Sequence, residues 1–331
     1  MACYSGLVWN GDGFTEGYAI IEDGRLVEKG DGIPGDSIRV GHILPGITDG
    51  HTHLGDAGLR LDRRYGLEEL VAPPDGLKHR YLRDTPPDVI GRDMADYARR
   101  LRDSGVSRVV DFREGGVEGA RIMREAVPDA VILGRTVSKE FDPNEADGLL
   151  DVADGIGIPS ITDLPDRYVS VLADAAHRCG KHLALHVSER IREDIDRVLS
   201  LEPDFIVHMC EATDSDLRAC ADAGIPIVVC ARSNMYFGKV PPLKRMCDAG
   251  VELCIGTDNA MIASPDIFEE ARFLSDLADG QGCPPGTAVR ALLRAGDKLL
   301  FTGSTFRGNG WAGTPILTGN DILSGRIAGS D

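Results

Sequence analysis

The chain has 331 residues, 42% of them apolar, and a mean hydropathy of −0.12, which suits one large or two modest folded domains and excludes disorder or a small disulfide scaffold. Its 36 Lys and Arg against 53 Asp and Glu give a formal charge of −17, a field that repels phosphate backbones and anionic membrane surfaces. Neither a nucleic acid nor a membrane is therefore an expected partner.

The N-terminal stretch MACYSGLVWNGDGF lacks the basic and apolar regions of an export signal, and no window holds eighteen uninterrupted apolar residues. Eight cysteines are scattered without a CxxC pair, several inside apolar runs, as in the reduced core of a cytoplasmic protein. Cytoplasm is the expected location.

Residues 1 to 45 read as short strands, SGLVW, GYAIIEDGRLVEKG and SIRVGHILP, with a hairpin signal at Glu22-Asp23-Gly24. From Ile43 onward, short apolar runs alternate with longer amphipathic stretches, the signature of successive βα units. Eight runs follow in order: HILPGITDGHTH, SRVVDFREGG, AVILGRTVS, DGIGIPSIT, HLALHVSE, DFIVHMCE, IPIVVCARSN and ELCIGTDNA. Eight strands with intervening helices favour an α/β fold, a closed (β/α)8 TIM-like barrel, over an open sheet, and no GxGxxG marks a dinucleotide fold. The longest connection, Gly55 to Pro87, reads as a lid over the barrel. The tail after Leu300 returns to Gly-punctuated strand character. The expected organisation is a small composite β-domain from residues 1–45 and 303–331, and a catalytic barrel over residues 46–302.

Barrel chemistry belongs at the C-terminal ends of the strands. The first strand ends in His51-Thr52-His53, whose i, i+2 spacing puts both imidazoles on one side. The fifth ends in His186 followed by Glu189, the sixth in His208, the seventh in Ser233-Asn234 and the eighth in Asp258. Taken singly, the His51/His53 pair reads more readily as a hairpin or surface accident and His186 or His208 as a buried imidazole, while Gly256-Thr257-Asp258 reads equally well as an ordinary turn or helix cap. Jointly they converge only if the strand count is right, and a metal site becomes the leading reading. Imidazoles with one carboxylate suit Zn(II), and Fe(II) accepts the same donors. The fourth run carries no lysine to bridge a second ion, so one divalent ion is expected; Lys139, after the third run, would alter that if the count were off by one.

These residues resemble the amidohydrolase superfamily, in its branch of cytosine deaminases, S-adenosylhomocysteine deaminases and triazine hydrolases. The resemblance lies in ILPGITDGHTHLGD, His186-Val187-Ser188-Glu189, His208, ARSNMYFGKVPPLKRMCDAGVELCIGTDNA and DIFEEARFLS, and it spans nearly the whole chain. It implies His51, His53, His186 and Asp258 as metal ligands, His208 beside the water or substrate, and Glu189 as proton shuttle. It further implies Asn234 near the substrate. Arg113, in the Arg113-Glu114-Gly115-Gly116 run, is added as a candidate substrate contact. Members often form homodimers, so a homodimer is a further expectation of the resemblance.

A divalent ion lowers the pKa of its water from about 15.7 to about 7, making hydroxide available at neutral pH. With Asp258 and Glu189 moving protons and His208 holding developing charge, the expected activity is hydrolytic deamination of an amino-heterocycle such as a nucleobase or nucleoside. The same groups could open a cyclic amide, as an imidazolonepropionase does. A non-catalytic binding barrel is disfavoured, because every expected ligand and the shuttle are present. Glu211, three residues after His208, is a weaker shuttle candidate. The lid bases Arg60, Arg63, Arg64, Lys78, Arg80 and Arg83 read as a solvated face, with an anionic substrate contact as the alternative.

Overall fold

The computed structural model describes residues 1–299 apart from Asp12, Pro73 and Lys139, together with the strand Ile316–Thr318 and Leu323. The first four strands, β1 (Ala2–Trp9), β2 (Phe14–Glu22), β3 (Arg25–Asp31) and β4 (Ile38–Leu44), make a small sheet. The β2–β3 turn places Asp23 and Gly24 at φ 48° and 71°, the two left-handed residues a tight hairpin needs. The strand Ile316–Thr318 pairs antiparallel with β4, Ile316 opposite Leu44, and forms the edge of this sheet.

The remaining strands are β5 (Ile47–His53), β6 (Val106–Arg113), β7 (Val131–Gly134), β8 (Gly155–Ile158), β9 (His182–Val187), β10 (Phe205–His208), β11 (Ile227–Val229), β12 (Leu253–Ile255) and β13 (Asp258–Asn259). They form one sheet of parallel neighbours with helices in the connections, a TIM-like barrel. The eighth stave comes in two pieces. β12 pairs with β11, whereas β13 pairs with β5, Asp258 opposite Thr52 and Asn259 opposite His53.

Two features at the break make that closure. A Cβ on Gly256 would lie 2.8 Å from the His51 backbone nitrogen, so only glycine lets the backbones approach. Next to it, Thr257 donates its N–H and its hydroxyl to the buried Asp49 carboxylate of β5, at 2.9 and 2.7 Å. First and last staves are thereby tied beside the site.

Alternation along the strands divides the core. Val110, Phe112, Leu133, Ala184, Phe205, Val207, Val228 and Cys254 pack inside the barrel with Ala295 and Leu299, while a larger apolar layer lies between strands and outer helices. All eight cysteines are thiols, and Cys220, Cys230, Cys254 and Cys283 are buried. Among the described residues no helix is long and apolar enough to cross a membrane.

The Gly55–Pro87 connection carries the short helices Leu67–Val71 and Leu77–Asp84. Arg64 anchors it by donating to the Tyr236 carbonyl at 2.8 Å and the Met235 carbonyl at 3.0 Å, just past β11. Of its six bases, Lys78 alone is buried.

Candidate metal centre and active site

At the C-terminal mouth, Asp258 Oδ1 lies 3.3 Å from His51 Nε2 and 3.5 Å from His53 Nε2, and His53 Nε2 lies 3.3 Å from His186 Nε2. Strands one, five and eight therefore converge on one point. His208 joins from strand six, its ring centroid 5.4 Å from that of His186.

The His208 ring is there because the backbone turns. Phe205 and Val207 face the barrel interior, so strict alternation would point residue 208 outward. His208 and Met209 instead adopt φ of 78° and 58°, which turns the imidazole into the mouth. Ser188 at 49° and Asp258 at 63° share that left-handed region. Such conformations cost about 1–3 kcal/mol each in non-glycine residues and persist where the surroundings hold a functional group in place.

Ring partners identify which nitrogens are free. His53 Nδ1 faces the Phe112 carbonyl at 2.9 Å and His186 Nδ1 faces the Ile158 carbonyl at 3.2 Å. A carbonyl only accepts, so each Nδ1 carries a proton, and in the neutral ring each Nε2 presents a bare lone pair. Two bare nitrogens 3.3 Å apart, beside a carboxylate oxygen, repel one another until a cation sits among them. His51 adds a fully buried ring with no hydrogen bond at either nitrogen, pushed down to about 3 by burial and so neutral. The ligating atoms of His51, His53 and His186 lie within 4.8 Å of one another, as do those of His51, His208 and Asp258. The donor set fits a divalent metal ion.

His208 has the opposite polarity. Asn234 Nδ2 donates to its Nδ1 at 3.1 Å, which leaves the ring proton on Nε2, 3.8 Å from Glu189 Oε2. It is thus presented as a donor beside Glu189. Asp258 is oriented by Ser233, whose hydroxyl donates to Oδ2 at 2.6 Å and leaves Oδ1 for the imidazoles. Behind Ser233, the buried Glu270 takes Arg232 Nε at 2.6 Å and the Arg232 N–H at 3.1 Å, so the segment after β11 is rigidly seated.

A cavity of about 270 Å³ opens over these groups, lined by His53, His186, Glu189, His208, Asp258 and Asn259 among others. An adjoining chamber of about 650 Å³ continues along β7 and β8, with Glu114, Arg135 and His79 in the shared wall. The site is large enough for a small molecule and its substituent.

Arg113 and Asn234 do not reach the cavity wall. Arg113 is buried with its Nε donating to the Glu114 carbonyl at 2.9 Å and its guanidinium against Gly55, where an added Cβ would clash. Asn234 is fully buried behind His208. Glu211 pairs with Lys239 at 2.6 Å rather than with the site, and Lys139 lies outside the described residues. Sequence reading missed Glu193, whose carboxylate accepts from Ser160 Oγ, Ile161 N–H and Ser188 N–H and so ties the loops after β8 and β9 together. It also missed the burial of Lys78, which nothing in a run of charged lid residues signals.

His79, beside Lys78, donates Nε2–H to the Val71 carbonyl at 3.1 Å, and burial followed by the Lys78 charge pushes its pKa down to about 4. The unfolded chain takes up a proton near the usual 6.5 while the folded chain does not. Stability is therefore lost as pH falls from about 6.5 towards 4. His79→Gln keeps a donor for Val71, and its urea midpoint should fall less than that of wild type between pH 7 and pH 5; parallel curves would refute the assignment.

The amidohydrolase family model matches residues 42–292. A putative aminohydrolase of Methanothermobacter thermautotrophicus is 32% identical over 340 residues, covering 92% of this chain and 87% of that protein. The 5-methylthioadenosine/S-adenosylhomocysteine deaminase of Haloarcula marismortui is 25% identical, covering 78% of this chain and 68% of its own length. A Xanthomonas campestris adenosine deaminase solved with bound zinc shares the fold at a TM-score of 0.72 and 17% identity, over 100% of this chain and 87% of that one. With the eight-stave barrel and the histidine cluster at its mouth, this chain belongs to the amidohydrolase family, hydrolases of carbon–nitrogen bonds.

Proposed function

We propose that this protein is a hydrolytic deaminase of a small amino-heterocycle, a nucleobase, nucleoside or related compound. It works with one divalent ion, zinc, held by His51, His53, His186 and Asp258. The observation that carries the reading is the gathering of Nε2 atoms around Asp258 Oδ1 at 3.3 to 3.5 Å, with no proton to share between His53 and His186. Three imidazoles and one carboxylate suit zinc. Relatives named aminohydrolase and deaminase support removal of an exocyclic amine over opening of a ring.

When bound, such an ion supplies a Lewis acid beside which a water ionises near neutral pH. Asp258 Oδ1, left free by the Ser233 bond to Oδ2, is the base placed to receive a proton at the mouth. Burial raises the Glu189 carboxyl above its ordinary range, the His208 ring opposing this, so Glu189 can hold a proton and pass it to a ring nitrogen or the departing amine. His208, kept as an Nε2–H donor by Asn234, is placed to bond the oxygen added at the attacked carbon.

The test is ammonia release from a panel of aminopurines, aminopyrimidines and their nucleosides by zinc-loaded protein, with product mass recorded. Replacement of NH by O, stopped by a chelator, is the expected result. Addition of water without ammonia would point to cyclic-amide hydrolysis instead, and no turnover across the panel would defeat the deaminase reading.

A further inference from the structure

We propose that Lys78 and Glu114 act as a positioning pair that couples seating of the lid to retention of the metal, through His53. The inference rests on the metal assignment above. Lys78 is the second residue of the lid helix Leu77–Asp84 and is 3% exposed, whereas the lid side chains of Arg63 and Arg83 are each 56% exposed. Its ammonium reaches into the barrel mouth, 2.6 Å from Glu114 Oε1 and 3.4 Å from both Asp56 Oδ2 and Asn259 Oδ1.

The Glu114 oxygen that Lys78 holds is also 3.0 Å from His53 Nδ1. That nitrogen bears the ring proton, and the Phe112 carbonyl at 2.9 Å is its other acceptor. A carboxylate placed behind a ligating imidazole fixes the tautomer and the ring plane and raises the basicity of the opposite nitrogen. For His53 the opposite nitrogen is Nε2, which faces Asp258 and His186.

A buried carboxylate keeps its charge and place only with a cation against it. Arg113 is the more distant one, with Nη2 3.7 Å from Glu114 Oε2. Lys78 is the closer, and it arrives on a connection that folds over the mouth from outside the barrel. Seating that helix therefore delivers the charge that holds Glu114 on His53. Withdrawing it leaves His53 to the Phe112 carbonyl alone. The pair acts through the imidazole and touches no reacting atom, so its effect is read on the metal.

The experiment measures zinc dissociation constants by competition with a chromophoric chelator on the full chain, for wild type, Lys78→Met, Glu114→Gln and the double variant. Each single change should weaken zinc binding about 10- to 100-fold, the range for outer partners of a metal ligand. The double variant should bind no more weakly than Glu114→Gln, because Lys78 acts through Glu114. A Lys78 that merely staples the lid would lower the unfolding midpoint and leave zinc affinity unchanged, which overturns the proposal; losses that multiply in the double variant also overturn it.

Should Lys78→Met fail to fold because it strands the Glu114 charge, Lys78→Gln, whose amide can still donate to Glu114 but brings no positive charge, takes its place. Zinc binding weakened towards that of Glu114→Gln supports the coupling, and wild-type affinity in Lys78→Gln overturns it. Wild-type protein that binds no zinc would overturn the metal assignment and this inference together. Tight wild-type binding that Lys78→Met leaves intact would overturn this inference alone.

Discussion

His186→Ala protein is expected to lose its stoichiometric metal after dialysis against a chelator that leaves wild type loaded, with zinc bound more than about 100-fold more weakly, beyond the loss caused by outer-partner changes. His186 stands on β9 with Nδ1 held by the Ile158 carbonyl at 3.2 Å and Nε2 aimed at His53 Nε2. Its ring stacks near-parallel to that of His53, at 5.4 Å between centroids, so its removal opens one whole side of the donor cluster. The remaining donors, His51, His53 and Asp258, come from the single seam between β5 and β13. Ligands from one seam cannot surround an ion, and water must fill the rest of its shell. Elemental analysis decides the matter: one equivalent of metal retained by His186→Ala would remove this residue from the ligand set.

Glu189→Gln should behave in the opposite way, keeping the metal and losing turnover. The carboxylate lines the cavity 3.8 Å from His208 Nε2 and is not among His51, His53, His186 and Asp258, the groups proposed to hold the ion. The amide preserves shape and cannot carry the proton, so kcat should fall by about 10²- to 10⁴-fold, the contribution of a positioned acid-base group. Metal content should match wild type. Glu211→Gln is the control, since Glu211 is engaged with Lys239 at the surface and should leave kcat close to wild type. A Glu189→Gln enzyme turning over within about tenfold of wild type falls below the floor of that range and would take the shuttle role from this residue.

Arg113 and Asn234 show where reading residue types stopped being enough. Arg113 ends β6, whereas Asn234, expected at the end of the seventh strand, lies on the short helix Ala231–Tyr236 that follows β11, and both are buried one layer behind the cavity. Arg113 fills the gap beside Gly55, and Asn234 sets the tautomer of His208. Position along a strand specifies depth in the barrel. It does not say whether a side chain faces the mouth or the neighbouring turn.

The linear chain by itself determined the eight staves, the i, i+2 pairing of His51 with His53 and the Glu189 offset from His186, because each depends on a period of a few residues set by local backbone geometry. Only the tertiary structure decided which ring nitrogens are bare, that His208 turns inward against strand alternation, and that Lys78 meets Glu114. Those outcomes are contacts between segments such as His53 and His186, which are 133 residues apart and are brought together by barrel closure. No local period encodes them. They follow from closure, which depends on backbones meeting at Gly256 and on Asp49 holding Thr257 across the seam.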